Sequence, residues 1–237
     1  MNHIDIVYLS WNRLEFTKTS FAALAKHTDW PSVARLVIYD DGSTDGTSEW
    51  LQEEGAKVPV PAFEFRAVSF RAPAATMNDY VATSDADIFA KIDNDIAVPR
   101  GWLNAMLRVM RRKPEIELLG MEAARTGPPR RGVKNYGFEP ASHMGGVGLI
   151  RTSAFDNRRP IAARGRFGWT EWQHRYKPIR GWIKPDLRVV QLDLIPEEPW
   201  RSLAAEYVAS GWSRRWTPYD PLRPWWWEWI AKERIAA

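Results

Sequence analysis

Strand-like and helix-like segments alternate along the first half of the sequence, and this alternation constrains the fold more than any other feature. Apolar runs typical of strands lie at residues 4–9, in "ARLVIYD" ending at Asp40, in "PAFEFRAVSF" and in "ADIFAKID" ending at Asp93. A segment with a helical pattern follows each of the first three. Because successive parallel strands are usually joined by a crossover helix, the sequence predicts an α/β fold with a mostly parallel central sheet flanked by helices.

Capping signals predict where two of the helices begin. The first is expected from Asn12 to about Lys26, with Asn12 as the N-cap and Glu15 completing a pattern much like a capping box. Pro99 is expected in the first turn of a helix in "PRGWLNAMLRVMRR", whose basic end suits the negative pole of the helix dipole. Farther along, "IELLGME", "GGVGLIR" and "DLRVVQLDL" are strand candidates.

The length and composition limit the class of protein. A chain of 237 residues suits one large domain built around a single core. No apolar stretch reaches the roughly 20 residues that span a bilayer, and "MNHIDIVYLSWNR" lacks the features of a signal peptide. We therefore expect a soluble, cytoplasmic protein. The absence of cysteine excludes disulfides, thiolate metal ligands and a cysteine nucleophile.

Charge and tryptophan are unevenly distributed along the chain. Residues 1–107 carry 9 basic and 15 acidic side chains, whereas residues 108–188 carry 18 basic and 7 acidic side chains, a net charge of +11. Such a field favours an anionic ligand, namely a diphosphate, a nucleic acid or a membrane surface, although a solvated basic face also fits. Seven of the 14 tryptophans lie between Trp200 and Trp229.

Two acidic clusters directly follow predicted strands. Asp40 and Asp41 begin the turn "DDGSTDGT", and Asp93 and Asp95 flank Asn94. Ligands of an open parallel sheet bind beyond the carboxyl ends of the strands, where both clusters fall. Each cluster alone is typical of a turn. Together they favour a nucleotide site in which Asp40 or Asp41 accepts hydrogen bonds from the base or ribose, and the other two aspartates hold a hard divalent ion.

Three motifs, "IDIVYLSWNR", "LVIYDDGSTDGT" and "AKIDNDIAVPRGWL", resemble the successive signatures of family 2 glycosyltransferases with the GT-A fold. The similarity covers roughly residues 4–195. It implies a Rossmann-like GT-A domain over residues 1–195, with a nucleotide-binding half (1–98) and an acceptor and catalytic half (99–195). A Trp-rich, helical extension over residues 196–237 is expected to pack on the same domain.

The resemblance also implies an activity and a set of nucleotide-binding residues. The activity is metal-dependent, inverting transfer of a sugar from a nucleotide-sugar donor, with UDP as the default nucleotide. Ser10, Asn12 and Arg13 match the turn that follows the first strand in the family. Asp40 and Asp41 match the segment whose aspartates contact the base and the ribose.

Further donor-site residues follow from the same resemblance. Asn78 matches part of an A-R-N motif, without the arginine beside it. The family's D-x-D motif is "DND" here, which makes Asp95 the direct ligand of Mn²⁺ or Mg²⁺, and Asp93 a ribose contact or a water-mediated partner of the metal. Gly145 and Gly146 resemble the Gly-Gly segment beneath the donor sugar, although a tightly packed Gly-rich strand would read the same way.

The resemblance places the catalytic base in "RFGWTEWQHRY", where Glu171 is the one carboxylate. An inverting transfer needs such a carboxylate to deprotonate the acceptor hydroxyl. The family's paired aspartate is replaced by Trp172, and His174 is a packing residue or a second group in the cleft. Many relatives complete the metal shell with a histidine; Gln191 stands nearest to that position, and Asp193 is the candidate ligand.

The acceptor and the rival functions stay open at the level of sequence. A glycan, a lipid-linked sugar or a modified nucleic acid would fit, with nucleic-acid or membrane contacts through basic residues 108–188 and the Trp-rich C-terminus. One alternative is a phage-type DNA base glycosyltransferase that acts on hydroxymethylated bases. Others are a non-catalytic nucleotide-sugar or nucleic-acid binding protein, and a sugar-phosphate nucleotidyltransferase. "LSWNRLEF" lacks the Gly-rich triphosphate loop expected near the N-terminus of a nucleotidyltransferase.

Overall fold

The structure is a computed structural model, and it describes most of the first half of the chain continuously and the second half in segments. The described residues are 4–121, 138–140, 144–155, 169, 172, 173, 180–183, 189–192, 202 and 205. The predicted extension over residues 196–237 therefore lies almost entirely outside the described residues. Ser202 and Ala205, its two described residues, are both helical.

Strands and helices alternate as the sequence predicts up to α4. The strands are β1 Ile4–Ser10, β2 Val33–Asp40, β3 Ala62–Ala67, β4 Ile88–Asp93, β5 Ile96–Ala97, β6 Leu118–Gly120, β7 Phe138–Pro140, β8 Val147–Arg151, β9 Arg180–Ile183 and β10 Val190–Gln191. The helices are α1 Leu14–His27, α2 Thr47–Gly55, α3 Pro73–Thr83 and α4 Trp102–Arg112.

The main sheet has eight strands in the order β3-β2-β1-β4-β8-β6-β9-β7. The first four run parallel, which confirms the predicted α/β class with a mostly parallel sheet. β8 pairs antiparallel with both β4 and β6, β9 is parallel to β6, and β7 is antiparallel to β9. A separate antiparallel pair joins β10 to β5. Since β1, β2 and β4 are parallel neighbours, their carboxyl ends lie along one edge.

Apolar side chains cover both faces of the parallel strands, as expected of a sheet buried between helices. One core combines alternate residues of β1, β2 and β4 with α1, α2 and α4, and includes Tyr8, Phe21 and Trp102. The other combines the opposite residues of the same strands with α3, and includes Met77, Tyr80 and Phe89. Strand residues alternate between the two cores, which fixes the face on which each polar residue lies.

The predicted start of α1 was wrong. The helix begins at Leu14, and its N-cap residue is Arg13, which has a left-handed backbone and caps no backbone N–H. Asp45, from the loop after β2, accepts a hydrogen bond from the Leu14 N–H at 3.0 Å. The Asn12 side chain accepts instead from the Thr44 N–H at 2.8 Å, so it fixes this loop and does not cap its own helix.

The predicted position of Pro99 was also wrong. α4 begins at Trp102, three residues later, and its N-cap is Gly101 with φ 77°. The Pro99 carbonyl accepts a bond from the Trp102 N–H at 3.3 Å, so Pro99 belongs to the turn before the helix. Glycine fits the cap because residues with a side chain rarely adopt positive φ.

In the described part of the chain, the helices are too short or too polar to cross a membrane.

Candidate active site

A pocket of about 260 Å³ opens at the carboxyl-terminal edge of the parallel strands. In the sheet register Leu9 lies beside Asp93, and Ser10 lies beside Asp40, so the ends of β1, β2 and β4 meet there. The lining residues come from these ends and from the loop and helix that follow β3: Leu9, Ser10, Trp11, Arg13, Tyr39, Asp41, Arg71, Pro73, Thr76, Asp93, Asn94 and Asp95. Chain topology therefore brings the polar residues predicted at three strand ends into one crevice.

The turn between β1 and α1 holds two consecutive non-glycine residues with positive φ, Asn12 at 51° and Arg13 at 65°. Such left-handed residues persist only where surrounding contacts enforce them, and they concentrate at functional sites. Here the turn directs the Arg13 guanidinium at the D-x-D segment, where it donates to Asp95 Oδ2 at 3.0 Å and to Asn94 Oδ1 at 2.7 Å. The Arg13 and Asp95 side chains are 6% and 11% exposed.

Asn94 is the middle residue of the D-x-D segment, and it anchors the turn from the other side. Its side-chain amide donates to the Asn12 carbonyl and to Thr17 Oγ1, both at 2.8 Å, while its oxygen accepts from Arg13. Asn94 is buried, so these bonds form away from water. No role was predicted for Asn94 from the sequence. The sequence does place an amide, which can donate and accept hydrogen bonds at once, between the two aspartates, and this could have indicated a role in holding the turn.

The two aspartates after β2 have different surroundings. Asp40 is buried and accepts from the Ser43 N–H at 3.0 Å and the Ser43 hydroxyl at 2.5 Å. Burial raises the pKa of Asp40, and the bonds from Ser43 oppose this shift. Asp41 lines the pocket and accepts from the N–H groups of Arg71 and Ala72 at 2.7 and 3.1 Å. The structure thus brings Asp41 to the pocket wall, while Asp40 organises the turn.

Asp93 ends β4 and lines the pocket beside Asp95. Its Oδ1 atom lies 2.5 Å from the ammonium of Lys91, a buried residue two positions earlier on the strand. Burial raises the pKa of Asp93, the charge of Lys91 lowers it, and the negative charge of Asp95 raises it again. Each carboxylate of the D-x-D segment is therefore already paired with a basic side chain.

Gly146 lies directly against the D-x-D segment. Its carbonyl accepts from the Asp93 N–H at 2.9 Å. A Cβ atom at this position would stand 2.7 Å from Ile96 Cγ1 and 3.2 Å from Asp93 Oδ2, closer than side chains normally approach. Gly145 has φ 83° and open space around it. Of the pair predicted to lie beneath a donor sugar, Gly146 is thus next to Asp93, and neither glycine is among the residues that line the pocket.

Arg71 is a pocket residue that the sequence analysis missed. It lies in the loop before α3 with φ 49°, and it contributes a basic side chain to the lining. Asn78, the residue predicted from the family's A-R-N motif, lies on α3 and is not part of this lining. Arg71 could have been found from its position, since it stands directly before Ala72 and Pro73 at the start of α3, in the loop that follows a parallel strand.

The predicted catalytic base, Glu171, lies outside the described residues, as do His174 and Asp193. Trp172, which stands where the resemblance expects an aspartate, is buried and stacks on Phe155 with ring centres 5.0 Å apart. The oxygen of the Gln173 side chain accepts from the Met144 N–H at 2.6 Å, which ties this segment to the residues before β8. Gln191 lies in β10, paired with Ile96 of β5.

The donor set suits a hard divalent ion that binds together with a phosphate. Among the described residues, no group of three or more histidine, cysteine or acidic side chains could by itself hold a metal. Asp93 and Asp95 supply two carboxylates at the pocket. Mg²⁺ and similar ions commonly bind through one or two carboxylates, with substrate phosphates and water completing the shell. These residues therefore fit Mn²⁺ or Mg²⁺ bound with a nucleotide diphosphate.

Residues 5–166 match the model of glycosyl transferase family 2. The match covers well over half of the chain, so the protein belongs to this family. The family membership confirms the resemblance carried by the three motifs around the pocket. No curated protein sequence is similar enough to the chain to count as a match.

Solved structures of glycosyltransferases share the fold. TarS residues 1–349 from S. aureus superposes with a TM-score of 0.61 at 13% identity, over 79% of this chain and 60% of that one. The mannosyltransferase PcManGT from Pyrobaculum calidifontis, in complex with GDP-Man and Mn²⁺, gives 0.59 at 13% identity, over 98% and 69%. GalNAc-T7 with UDP, GalNAc and Mn²⁺ gives 0.60 at 11% identity, over 80% and 43%. The chain spans about 60% of the length of the TarS fragment. These likenesses confirm the GT-A fold.

Proposed function

We propose that this glycosyltransferase moves a sugar from a nucleotide-sugar donor to an acceptor hydroxyl, with inversion and with the help of a divalent metal. The observation that carries the proposal is the pocket at the carboxyl ends of β1, β2 and β4. It gathers the carboxylates of Asp41, Asp93 and Asp95 with the basic side chain of Arg71. A nucleoside diphosphate needs hydrogen-bond acceptors for its base and ribose and positive charge for its phosphates, and this lining supplies both.

The pocket residues take distinct roles in this proposal. Asp41 accepts from the base or ribose, Arg71 faces the diphosphate, and Asp93 contacts the ribose or metal-bound water. Asp95 holds Mn²⁺ or Mg²⁺, which would stabilise the departing nucleoside diphosphate as a Lewis acid. Arg13 and Asn94 keep the pocket wall in place through the bonds described above. Asp193 remains the proposed further metal ligand.

Glu171 is the proposed general base, which removes the proton of the acceptor hydroxyl as it attacks the donor sugar. The family match ends at residue 166, so the assignment of Glu171 rests on the resemblance of "RFGWTEWQHRY" to the family's segment that carries the base. The neighbouring Trp169 and Trp172 are buried and stack on Phe155, and Gln173 accepts from the Met144 N–H, so these three residues pack on the body of the domain. We propose residues 1–98 as the donor half and residues 99–195 as the acceptor half.

UDP is the proposed nucleotide by default. A solved TarS structure holds UDP-GlcNAc, and GalNAc-T7 was solved with UDP, whereas PcManGT was solved with GDP-Man. The donor panel below therefore includes both nucleotides. The acceptor is a glycan, a lipid-linked sugar or a modified nucleic acid.

One observation favours the DNA base glycosyltransferase as a second candidate. The outer face of α4 exposes Arg108, Arg111 and Arg112, which surround a surface depression together with Asn104. A cluster of exposed arginines attracts phosphate backbones. The test is transfer of labelled sugar from the identified donor to hydroxymethylated duplex DNA, with unmodified DNA as the matched control. Labelling of glycans in place of DNA would exclude this candidate.

Thermal stabilisation tests the donor proposal directly. A ligand that binds the folded state alone raises stability by about 2.7 kcal/mol at a hundredfold excess over its Kd. We expect one class of nucleotide sugar to raise the Tm of the protein in the presence of Mn²⁺, and by less in its absence. Failure of every UDP- and GDP-sugar to shift the Tm with either Mn²⁺ or Mg²⁺ would contradict the proposal.

A further inference from the structure

Lys91 is a buried lysine directly behind the donor pocket. It lies in the middle of β4, and it is among the largest fully buried side chains of the protein. Lysine is almost never buried to this degree unless an acidic group pairs with it. Within the described part of the chain, that group is Asp93, whose Oδ1 lies 2.5 Å from the ammonium.

Among the residues that the structure describes, Asp93 is the one acidic group within ion-pair distance of Lys91. Residues two apart on a strand share a face, so Lys91 lies on the same face of β4 as Phe89 and Asp93. Its cross-strand neighbours in the register are Val7 of β1 and Gly148 of β8. A charge among apolar neighbours is costly unless it is paired, and this strengthens the attraction between Lys91 and Asp93.

The second carboxylate of the D-x-D segment has the same arrangement. Arg13 pairs with Asp95 at 3.0 Å, and both side chains are largely buried. The four groups therefore form two adjacent ion pairs with no net charge. Two unpaired carboxylates would attract a divalent cation strongly, whereas a neutral cluster attracts it only weakly.

We propose that Lys91 is a built-in counter-ion that makes metal binding depend on the nucleotide. The proposal rests on the proposed donor site and concerns how that site loads. In the free protein, Lys91 and Arg13 neutralise the carboxylates, so Mn²⁺ binds weakly. A bound nucleoside diphosphate adds negative charge to the pocket, and the metal then binds tightly. Lys91 acts through Asp93, so it is a positioning residue rather than a catalytic one.

The variant Lys91→Met tests this proposal because methionine has a similar length and no charge. We expect Mn²⁺ alone to bind Lys91→Met on the order of tenfold more tightly than wild type, since one cation near the metal position is removed. The factor by which UDP tightens Mn²⁺ binding should shrink correspondingly, because the site of Lys91→Met already carries unpaired negative charge before UDP binds. Isothermal titration with Mn²⁺ measures both affinities, with and without saturating UDP, after correction for Mn²⁺ bound to free UDP.

Lys57→Met is the matched control. Lys57 is an exposed lysine just beyond α2 that pairs with Glu53 and Glu54 of that helix, so its removal changes the net charge of the protein equally. We expect its Mn²⁺ affinity to equal that of wild type. Equal Mn²⁺ affinities for wild type and Lys91→Met would overturn the proposal.

Two further outcomes keep the test decisive. If Lys91→Met does not fold, the wild type still decides, because tight Mn²⁺ binding by the wild type without nucleotide would overturn the proposal, and binding that requires UDP would support it. If neither UDP nor GDP binds, the proposed donor site fails. The role of Lys91 is then judged separately, by the affinities for Mn²⁺ alone.

Discussion

Replacing Asn94 by alanine should destabilise the protein strongly, although Asn94 lies in a loop. The substitution removes two hydrogen bonds to neutral acceptors, the Asn12 carbonyl and Thr17 Oγ1, and one bond from the Arg13 guanidinium. Neutral bonds contribute about 1 kcal/mol each and a bond to a charged group about 1.5 kcal/mol or more. The expected loss is about 3 to 4 kcal/mol, which for a chain of this size lowers the Tm by roughly 6–16 °C.

Urea denaturation monitored by tryptophan fluorescence measures this loss. Asn104→Ala is the matched control, since Asn104 is exposed and its amide donates to Asp29 at 3.2 Å on the surface, so its removal should cost less than about 0.5 kcal/mol. Nucleotide affinity should fall in Asn94→Ala and persist in Asn104→Ala, because Asn94 bonds to the β1–α1 turn and Asn104 lies on α4, away from it. A loss below about 1 kcal/mol in Asn94→Ala would refute the view that this amide holds the turn.

Three other substitutions and one titration test the site. Gly146→Ala should weaken nucleotide binding, because the new methyl group would stand 2.7 Å from Ile96 Cγ1 and 3.2 Å from Asp93 Oδ2 and so displace the D-x-D segment; an unchanged Kd by calorimetry would contradict this. Asp95→Ala should abolish the metal-dependent part of donor binding, and a preserved Mn²⁺ effect on donor affinity would argue against it as the ligand. Glu171→Gln should keep donor affinity and lose sugar transfer, so retained turnover would move the base elsewhere. Because burial raises the pKa of Asp93, acidification should protonate it sooner than an ordinary aspartate. As the pH falls, metal-dependent donor binding should therefore be lost at a higher pH than it would be if Asp93 had the pKa of an ordinary aspartate. Donor titrations at a series of pH values measure this.

The parallel half of the fold could be predicted from the sequence because its pattern is local. Apolar runs and turn residues alternate within short windows, and strands that end in Asp40 and Asp93 place those residues at one edge of the sheet. The location of the two aspartate motifs beside the pocket could be predicted from this topology. Pairing of β8 between β4 and β6 could not be predicted, since a buried apolar run carries no record of its neighbours.

The errors arose where distant residues compete for the same groups. Asn12 is a typical N-cap residue, yet its side chain accepts a hydrogen bond from the Thr44 N–H. The Leu14 N–H at the start of α1 donates to Asp45 instead. Likewise, nothing near Arg13 in the sequence indicates that it pairs with Asp95, 82 positions away. The roles of Lys91 and Asn94 also depend on burial, which becomes known only with the packed structure.

The bonds from the loop after β2 to the β1–α1 turn have a consequence for folding order. They join positions 31 or 32 apart in sequence, through Ser43, Thr44 and Asp45. A nascent chain that has emerged only as far as residue 40 holds β1 and the whole of α1, but not the groups that fix the left-handed turn. We therefore expect the β1–α1 turn, which lines the donor pocket, to take its final conformation only after β2 has joined the sheet. In refolding experiments, nucleotide binding should then recover later than the helical circular dichroism signal. A donor would stabilise late folding intermediates more than early ones.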